Sequence, residues 1–214
     1  MKIGLNEGSV FGVDLNKFLE CACTAGFEGV ELRIEKIRAF LEKQSPRELI
    51  DLLQKNRLEL IDVNYIELPA RLSERELDNY FLQASQTFKI LKQINCKFIV
   101  VTPYHLKAKR PKEEIINDIV APLRRMADLS STYDVDLGFE PLGGARRAIR
   151  TFEEGIDIVE RTERKNVGLV VDSFNFWLSK SSLDSIPRIS MDKVYLIHMS
   201  DADSRTVVPA SNLI

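Results

Sequence analysis

Val167-Gly-Leu-Val-Val-Asp172 is an apolar run that ends on a carboxylate, and two neighbouring stretches of the chain repeat this arrangement. The preceding stretch, Asp136-Leu-Gly-Phe-Glu140, ends on a glutamate, and the following one, Val194-Tyr-Leu-Ile-His198, ends on a histidine. Short apolar runs of this kind are typical of buried parallel strands. In a (β/α)8 barrel the C-terminal strand ends form the rim of the active site, so the pattern predicts that these three end residues face one cavity.

Strand and helix patterns alternate along the whole chain, which indicates an α/β fold with a parallel sheet. Capping residues mark the helix starts at Asp14, Ser45, Ser73 and Thr151. A further helix is predicted over 112–133, and a weak one from Ser182 to Ile189. The seven predicted strands are Lys2–Asn6, Gly29–Arg33, Leu58–Asn64, Lys97–Thr102, 136–140, 167–172 and 194–198. Seven successive strands favour a (β/α)8 TIM barrel over a doubly wound sheet. No Gly-x-Gly-x-x-Gly motif supports a dinucleotide site.

Composition indicates a single domain over residues 1–214. The chain is 44% hydrophobic, enough for one substantial core, and contains no low-complexity segment or linker. Its net charge of −2 gives no support for nucleic acid or an anionic membrane as a partner. The N-terminus has no long apolar segment, and no apolar stretch of the length of a transmembrane helix occurs. We therefore expect a cytoplasmic protein without a membrane partner.

The chain ends at Ile214, 16 residues after His198. A typical barrel needs about 250 residues, so the eighth β/α unit is expected to be missing from this sequence. The final stretch, Val207-Val-Pro-Ala-Ser-Asn-Leu-Ile214, shows no strand–helix pattern. We expect the natural protein to continue beyond Ile214. If it does not, the open barrel would be a non-catalytic binding module, or a partner would complete it.

Two carboxylates and an imidazole suit a borderline divalent cation such as Mn²⁺, Co²⁺, Zn²⁺ or Fe²⁺, whereas Mg²⁺ is less favoured. Such an ion is a Lewis acid that stabilises an enediolate while a carboxylate moves a proton between neighbouring carbons. Each residue alone also has an ordinary interpretation. Glu140 could lie on the surface at a strand end, Asp172 could cap a turn, and His198 could be a hydrogen-bonded core histidine.

Three motifs resemble the xylose-isomerase-like sugar isomerase and epimerase superfamily, and within it the inosose (2-keto-myo-inositol) isomerases of inositol catabolism. They are Phe139-Glu-Pro-Leu-Gly143, Asn166-Val-Gly-Leu-Val-Val-Asp-Ser-Phe-Asn-Phe176 and Leu196-Ile-His-Met-Ser-Asp201. The resemblance covers essentially the whole chain. It implies metal ligands at Glu140, Asp172 and His198, and a catalytic acid/base role for Glu140. In this family a glutamate on strand eight completes the metal site and shares the proton transfer.

One position departs from the family pattern, because Asn175 occupies the place where the family usually has a histidine. Asparagine keeps a hydrogen-bonding side chain but cannot carry a proton near neutral pH, so the substrate is less certain than the metal site. The residues predicted to bind substrate are Glu7, Arg33, Asn64, His105, Asn175, Trp177 and Arg205. The alternatives are a salt bridge inside the barrel mouth for Arg33 and Glu7, a turn role for Asn64, a surface or loop role for His105 and Arg205, and packing against a helix for Trp177.

The sequence therefore predicts a metal-dependent isomerase or epimerase of an inosose-type cyclic polyol ketone or a ketose. A dehydratase on the same scaffold is an alternative, because it begins with the same proton abstraction beside a carbonyl. The related endonuclease IV branch needs several histidines for three metals, and this chain has two. A small sugar or cyclitol is the expected partner, and a homo-oligomer is compatible with the sequence.

Overall fold

The computed structural model of the protein describes residues 1–10 and 12–201, and seven parallel strands form one sheet in it. The strands are β1 Gly4–Asn6, β2 Gly29–Arg33, β3 Glu59–Glu67, β4 Phe98–Thr102, β5 Asp136–Phe139, β6 Val167–Asp172 and β7 Val194–His198. Each strand pairs with the next one in the chain. Within the described residues β1 and β7 have a neighbour on one side only. This order matches a (β/α)8 barrel in which one unit is missing or incomplete, as the sequence predicted.

Helices connect the strands, and four of them begin where the capping residues predicted. They are α1 Leu15–Thr24, α2 Ile34–Leu41, α3 Pro46–Lys55, α4 Glu74–Gln93, α5 Lys112–Ser131, α6 Phe152–Thr162 and α7 Ser173–Ser179. Asp14 accepts a hydrogen bond from the backbone N–H of Lys17 at 2.9 Å. Ser45, Ser73 and Thr151 each form a capping box with the glutamate three residues later. These side chains satisfy backbone donors that the first helical turn leaves unpaired.

Two helices differ from the sequence prediction. The helix α2 follows β2 directly, without a side-chain cap, a glycine or a proline to mark its start. The helix α7 follows β6 directly, and the predicted helix from Ser182 to Ile189 is a 3-10 helix, Leu183–Arg188. Pro187 lies inside that segment and cannot donate the hydrogen bond that an α-helix needs there. At the start of α7 the cap is Asp172, which is also the last residue of β6, so no separate residue marks this boundary.

Two aromatic rings and two glycines fit together inside the sheet below its C-terminal rim. Phe98 of β4 and Tyr195 of β7 meet edge to face, with ring centroids 5.8 Å apart. A Cβ at Gly138 would lie 2.3 Å from the Phe98 ring, and one at Gly168 would lie 2.5 Å from the Tyr195 ring. Both contacts are far below van der Waals distance, so β5 and β6 need glycine at these positions. The buried apolar side chains of the strands and helices form one hydrophobic cluster.

Residues 202–214 lie outside the described part of the structure. The expectation that no strand–helix unit follows His198 therefore stays a prediction. No helix within residues 1–10 and 12–201 has both the length and the hydropathy that a membrane-spanning helix requires.

Candidate metal centre

The sheet brings Glu140, Asp172 and His198 together at its C-terminal end. Glu140 directly follows β5, and Asp172 and His198 are the last residues of β6 and β7. Asp172 and His198 are also partners in the register between these two strands. One ligand atom from each of the three residues lies within 4.8 Å of the other two. Glu140 is buried, and the other two are partly buried, so all three side chains are shielded from bulk water.

Both carboxylates approach the same ring nitrogen of His198. Glu140 Oε1 lies 3.2 Å from His198 Nδ1, and Asp172 Oδ2 lies 4.0 Å from it. Two carboxylate oxygens and one imidazole nitrogen that converge in this way are donors that zinc, manganese, cobalt and iron accept. The three side chains therefore fit a divalent cation.

The two oxygens of Asp172 have different surroundings. Oδ1 accepts a hydrogen bond from the backbone N–H of Asn175 at 2.6 Å and caps α7. Oδ2 is the oxygen that faces His198. From the sequence, metal binding and turn capping were alternatives for this residue. The structure allows both, with one oxygen for each.

Burial and charge shift the titration of all three groups. Burial raises the pKa of the Glu140 carboxyl, and the nearby charges of Asp172 and Glu31 add to this against the opposing hydrogen bond from His198. Burial also raises the pKa of Asp172. Burial alone would lower the pKa of His198, but its hydrogen bonds to Glu140 and Glu31 outweigh that effect and raise the pKa to about 11. Without a metal, His198 is therefore charged at neutral pH, and a cation must compete with its proton.

The raised pKa of His198 predicts that the metal-free protein loses stability as the pH rises above neutral. The ordinary pKa of 6.5 applies to the unfolded chain, and the pKa in the folded protein is about 11. Between these values the folded state binds the extra proton, so the free energy of unfolding falls with increasing pH. This stabilisation is complete below pH 6.5 and is lost by about pH 11. Urea unfolding in EDTA, from about pH 7 to pH 9.5, measures the decline.

His198→Gln is the control for this prediction, because it removes the titrating group from the same position. The difference in free energy of unfolding between the wild type and this variant should shrink as the pH rises. A difference that stays constant across the range would contradict the two ion pairs of His198.

Sequence reasoning missed two acidic residues of the barrel interior, Glu31 of β2 and Asp62 of β3. Together with His198 they form a second group whose ligand atoms lie within 4.8 Å of one another. Both acidic residues are buried, with exposed fractions of 5% and 1%. The signal that could have found them is a carboxylate inside an apolar run, since such a charge is almost never buried without a partner.

Glu31 is a carboxylate surrounded by donors from three other strands. Its Oε2 lies 2.7 Å from His198 Nε2, and its Oε1 accepts hydrogen bonds from the amides of Asn6 and Asn64. Burial opposes its ionisation, but the hydrogen bond and charge of His198 and the hydrogen bond from Asn64 outweigh burial and lower the pKa of Glu31. Burial and the charge of Glu31 raise the pKa of Asp62 well above its usual range. The two neighbouring carboxyl groups therefore influence each other's titration.

Glu7 and Arg33 were both predicted to bind substrate, and a hydrogen bond links the side chain of Glu7 to the backbone of Arg33. Glu7 Oε2 accepts a hydrogen bond from the backbone N–H of Arg33 at 3.1 Å, and Glu7 Oε1 lies 3.3 Å from Lys36 Nζ. Glu7 is thus buried at the junction of β2 and α2. Arg33 ends β2 and is exposed at the same end of the sheet as the three candidate ligands.

The two asparagines that were predicted to bind substrate, Asn64 and Asn175, also have hydrogen-bond partners within the chain. Asn64 Nδ2 donates to Glu31 Oε1 at 2.7 Å. Asn175 Oδ1 accepts a hydrogen bond from the backbone N–H of Gly143 at 3.0 Å and so holds the loop after Glu140. These contacts indicate structural roles for both side chains, and their predicted substrate contacts stay predictions.

Of the three remaining candidates, the structure describes His105 and Trp177. His105 is exposed in the loop after β4 and pairs through its backbone with Arg147. Trp177 is 59% exposed on α7 and lies against Phe174, with ring centroids 6.1 Å apart. Arg205 lies outside the described residues. Neither His105 nor Trp177 has a described contact with Glu140, Asp172 or His198.

Comparison with known proteins gives a family match over most of the chain. Residues 19–211 match the family described as xylose isomerase-like TIM barrel. The inosose isomerase of Bacillus velezensis is 25% identical to the chain over 205 residues, which are 95% of this chain and 73% of that protein.

The chain is also similar to a dehydratase in sequence and to a zinc-containing protein in structure. The 3-dehydroshikimate dehydratase of Pseudomonas aeruginosa is 24% identical over 188 residues, which are 86% of this chain and 28% of that protein. The crystal structure of the IOLI protein, which contains a bound zinc atom, has a TM-score of 0.90 and 25% sequence identity. That match covers 100% of this chain and 77% of the other.

Proposed function

This chain belongs to the xylose isomerase-like TIM barrel family, and we propose that it is a divalent-metal-dependent isomerase or epimerase of a cyclic polyol ketone or a ketose. It is an enzyme of the sugar isomerase and epimerase type. The observation that supports the proposed reaction most is the convergence of Glu140 and Asp172 on Nδ1 of His198. This donor set lies at the strand ends, where barrels of this class carry out their chemistry.

The proposed roles follow from the surroundings of each group. Glu140, Asp172 and His198 would hold the metal, which as a Lewis acid would polarise the carbonyl oxygen of the substrate. Glu140 is also the acid/base, because a buried carboxyl with a raised pKa can take a proton and return it near neutral pH. It would remove the proton from the carbon beside the carbonyl and deliver it to the former carbonyl carbon of the enediolate, while the hydroxyl proton passes to the former carbonyl oxygen. The exposed Arg33 is available at the same rim to bind a hydroxyl group.

The proposed substrate is 2-keto-myo-inositol, in agreement with the inosose isomerase relatives. The similarity to a 3-dehydroshikimate dehydratase supports the alternative, a dehydratase that starts with the same proton abstraction. Zn²⁺, Mn²⁺, Co²⁺ and Fe²⁺ are the proposed metals, and zinc has support from the zinc-containing structural neighbour. The single domain over 1–214, the cytoplasmic location, the homo-oligomer and the absence of nucleic-acid and membrane partners stay predictions.

Incubation of the chain with 2-keto-myo-inositol and Mn²⁺ in D₂O tests the reaction. An isomerase gives a product of unchanged composition that carries solvent deuterium beside the carbonyl, since the proton passes through an exchangeable carboxyl. A dehydratase gives a product that has lost one molecule of water. Mass spectrometry separates the two products. Neither product, in a sample that binds Mn²⁺, would overturn the proposed substrate.

A further inference from the structure

The two nitrogens of the His198 ring face different carboxylates. Nδ1 faces Glu140 and Asp172, the proposed ligands from β5 and β6, whereas Nε2 lies 2.7 Å from Glu31 Oε2 of β2. Only one nitrogen of a neutral imidazole has a lone pair that can bind a metal, and the partner of the other nitrogen decides which one it is.

Glu31 can only accept a hydrogen bond from His198. A carboxylate has no donor of its own, and Glu31 Oε2 lies 2.7 Å from the ring nitrogen. Its other oxygen is occupied by the amides of Asn6 and Asn64. The three donors come from β1, β3 and β7, so Glu31 is held from both edges of the sheet and cannot turn away from His198 without losing them.

We propose that Glu31 is a positioning residue that keeps the hydrogen of His198 on Nε2 and thereby turns the lone pair of Nδ1 toward the metal. This inference rests on the proposed metal site. Glu31 itself does not bind the ion, although it lies in a second group of possible ligands with Asp62 and His198. Donor hydrogens from three side chains already point at its two oxygens, and a cation there would face those hydrogens.

The matched variant Glu31→Gln should reverse this arrangement. The carbonyl oxygen of a glutamine at this position would take the two amide donors from Asn6 and Asn64, because two amide NH₂ groups cannot face each other favourably. Its own NH₂ group would then face Nε2 of His198. Nε2 would have to accept a hydrogen bond, and the ring hydrogen would move to Nδ1, where it blocks the metal.

The test measures Cd²⁺ binding to ¹⁵N-labelled protein in two ways. Calorimetry gives the affinity, and NMR of the histidine rings with ¹¹³Cd shows which ring nitrogen binds the ion. The chain has only two histidines, His105 and His198, so His105→Gln assigns the signals. We expect ¹¹³Cd coupling to Nδ1 and a retained hydrogen on Nε2 in the wild type. Glu31→Gln should weaken Cd²⁺ binding by about 10- to 100-fold. Glu59→Gln is the control. Glu59 is the first residue of β3, so it is exposed at the end of the sheet away from the candidate ligands, and it pairs with Lys2. It should bind Cd²⁺ like the wild type.

The outcomes separate this inference from the proposed function. Coupling of ¹¹³Cd to Nε2, or wild-type affinity in Glu31→Gln, would overturn the role of Glu31 while the metal site remains. No Cd²⁺ binding by the wild type would overturn the metal-dependent function and the inference with it. The wild-type spectrum decides the question even if Glu31→Gln does not fold. A purely structural role would lower the melting temperature of the variant without moving the ring hydrogen.

Discussion

Replacing Glu140 with Gln should lower kcat/KM for 2-keto-myo-inositol by roughly 100- to 10,000-fold, the range over which general acid–base groups contribute. Glutamine has nearly the same shape, but its amide cannot accept and return a proton near neutral pH. The loss should persist at saturating Mn²⁺, because the missing step is proton transfer. The measurement is the rate of deuterium exchange beside the carbonyl, followed by NMR together with product formation.

Asp136→Asn is the matched control for Glu140→Gln. Asp136 begins the strand β5 that Glu140 follows, and it is exposed at the opposite end of the sheet. The same change from acid to amide at this site should leave the exchange rate unchanged. If Glu140→Gln exchanged the substrate proton as fast as the wild type, the acid/base role of Glu140 would be excluded.

Replacing Asp172 with Asn should lower metal affinity by about 100-fold or more, because a charged ligand becomes a neutral one. The folded state should change little, since asparagine is as good a helix N-cap as aspartate. This expectation rests on the separate surroundings of the two oxygens, with Oδ1 on the N–H of Asn175 and Oδ2 toward His198. Calorimetric titration with Zn²⁺ and thermal unfolding in EDTA measure the two effects independently.

Two further variants interpret that result. Asp14→Asn makes the same substitution at the N-cap of α1, where Asp14 accepts from Lys17 N–H, and it should bind Zn²⁺ like the wild type. Asp172→Ala should lose both the ligand and the cap, with an additional destabilisation of about 0.5–2 kcal/mol. Equal Zn²⁺ affinity in Asp172→Asn and the wild type would show that Asp172 is not a metal ligand.

The parts of this fold that were predictable from the sequence have local causes. Alternation of apolar runs and capped helices identified seven strands in order, and the capping boxes at Ser45, Ser73 and Thr151 fixed three helix starts. The helices α2 and α7 were missed or misplaced because each follows its strand without an intervening turn residue. Local patterns predict a boundary where a separate turn or capping residue stands between two elements, whereas the cap of α7, Asp172, is itself the last residue of β6.

The grouping of Glu140, Asp172 and His198 was also contained in the sequence. Each residue ends an apolar run, and parallel strands place such ends on one rim. The pattern could not show how each side chain divides its contacts. The cap from Asp172 Oδ1 to Asn175, and the contact from Asn175 to Gly143, depend on the path of α7 after β6.

By itself the sequence determined the strand order, the helix caps and the rim on which the candidate ligands meet, because these depend on periodicity and neighbouring residues. Only the tertiary structure decided that Glu31 meets His198, 167 residues away, and that two asparagines hold it there. A buried charge in an apolar run signals that a partner exists. The identity of the partner is set by the curvature of the sheet, which brings β2 and β7 face to face across the barrel interior.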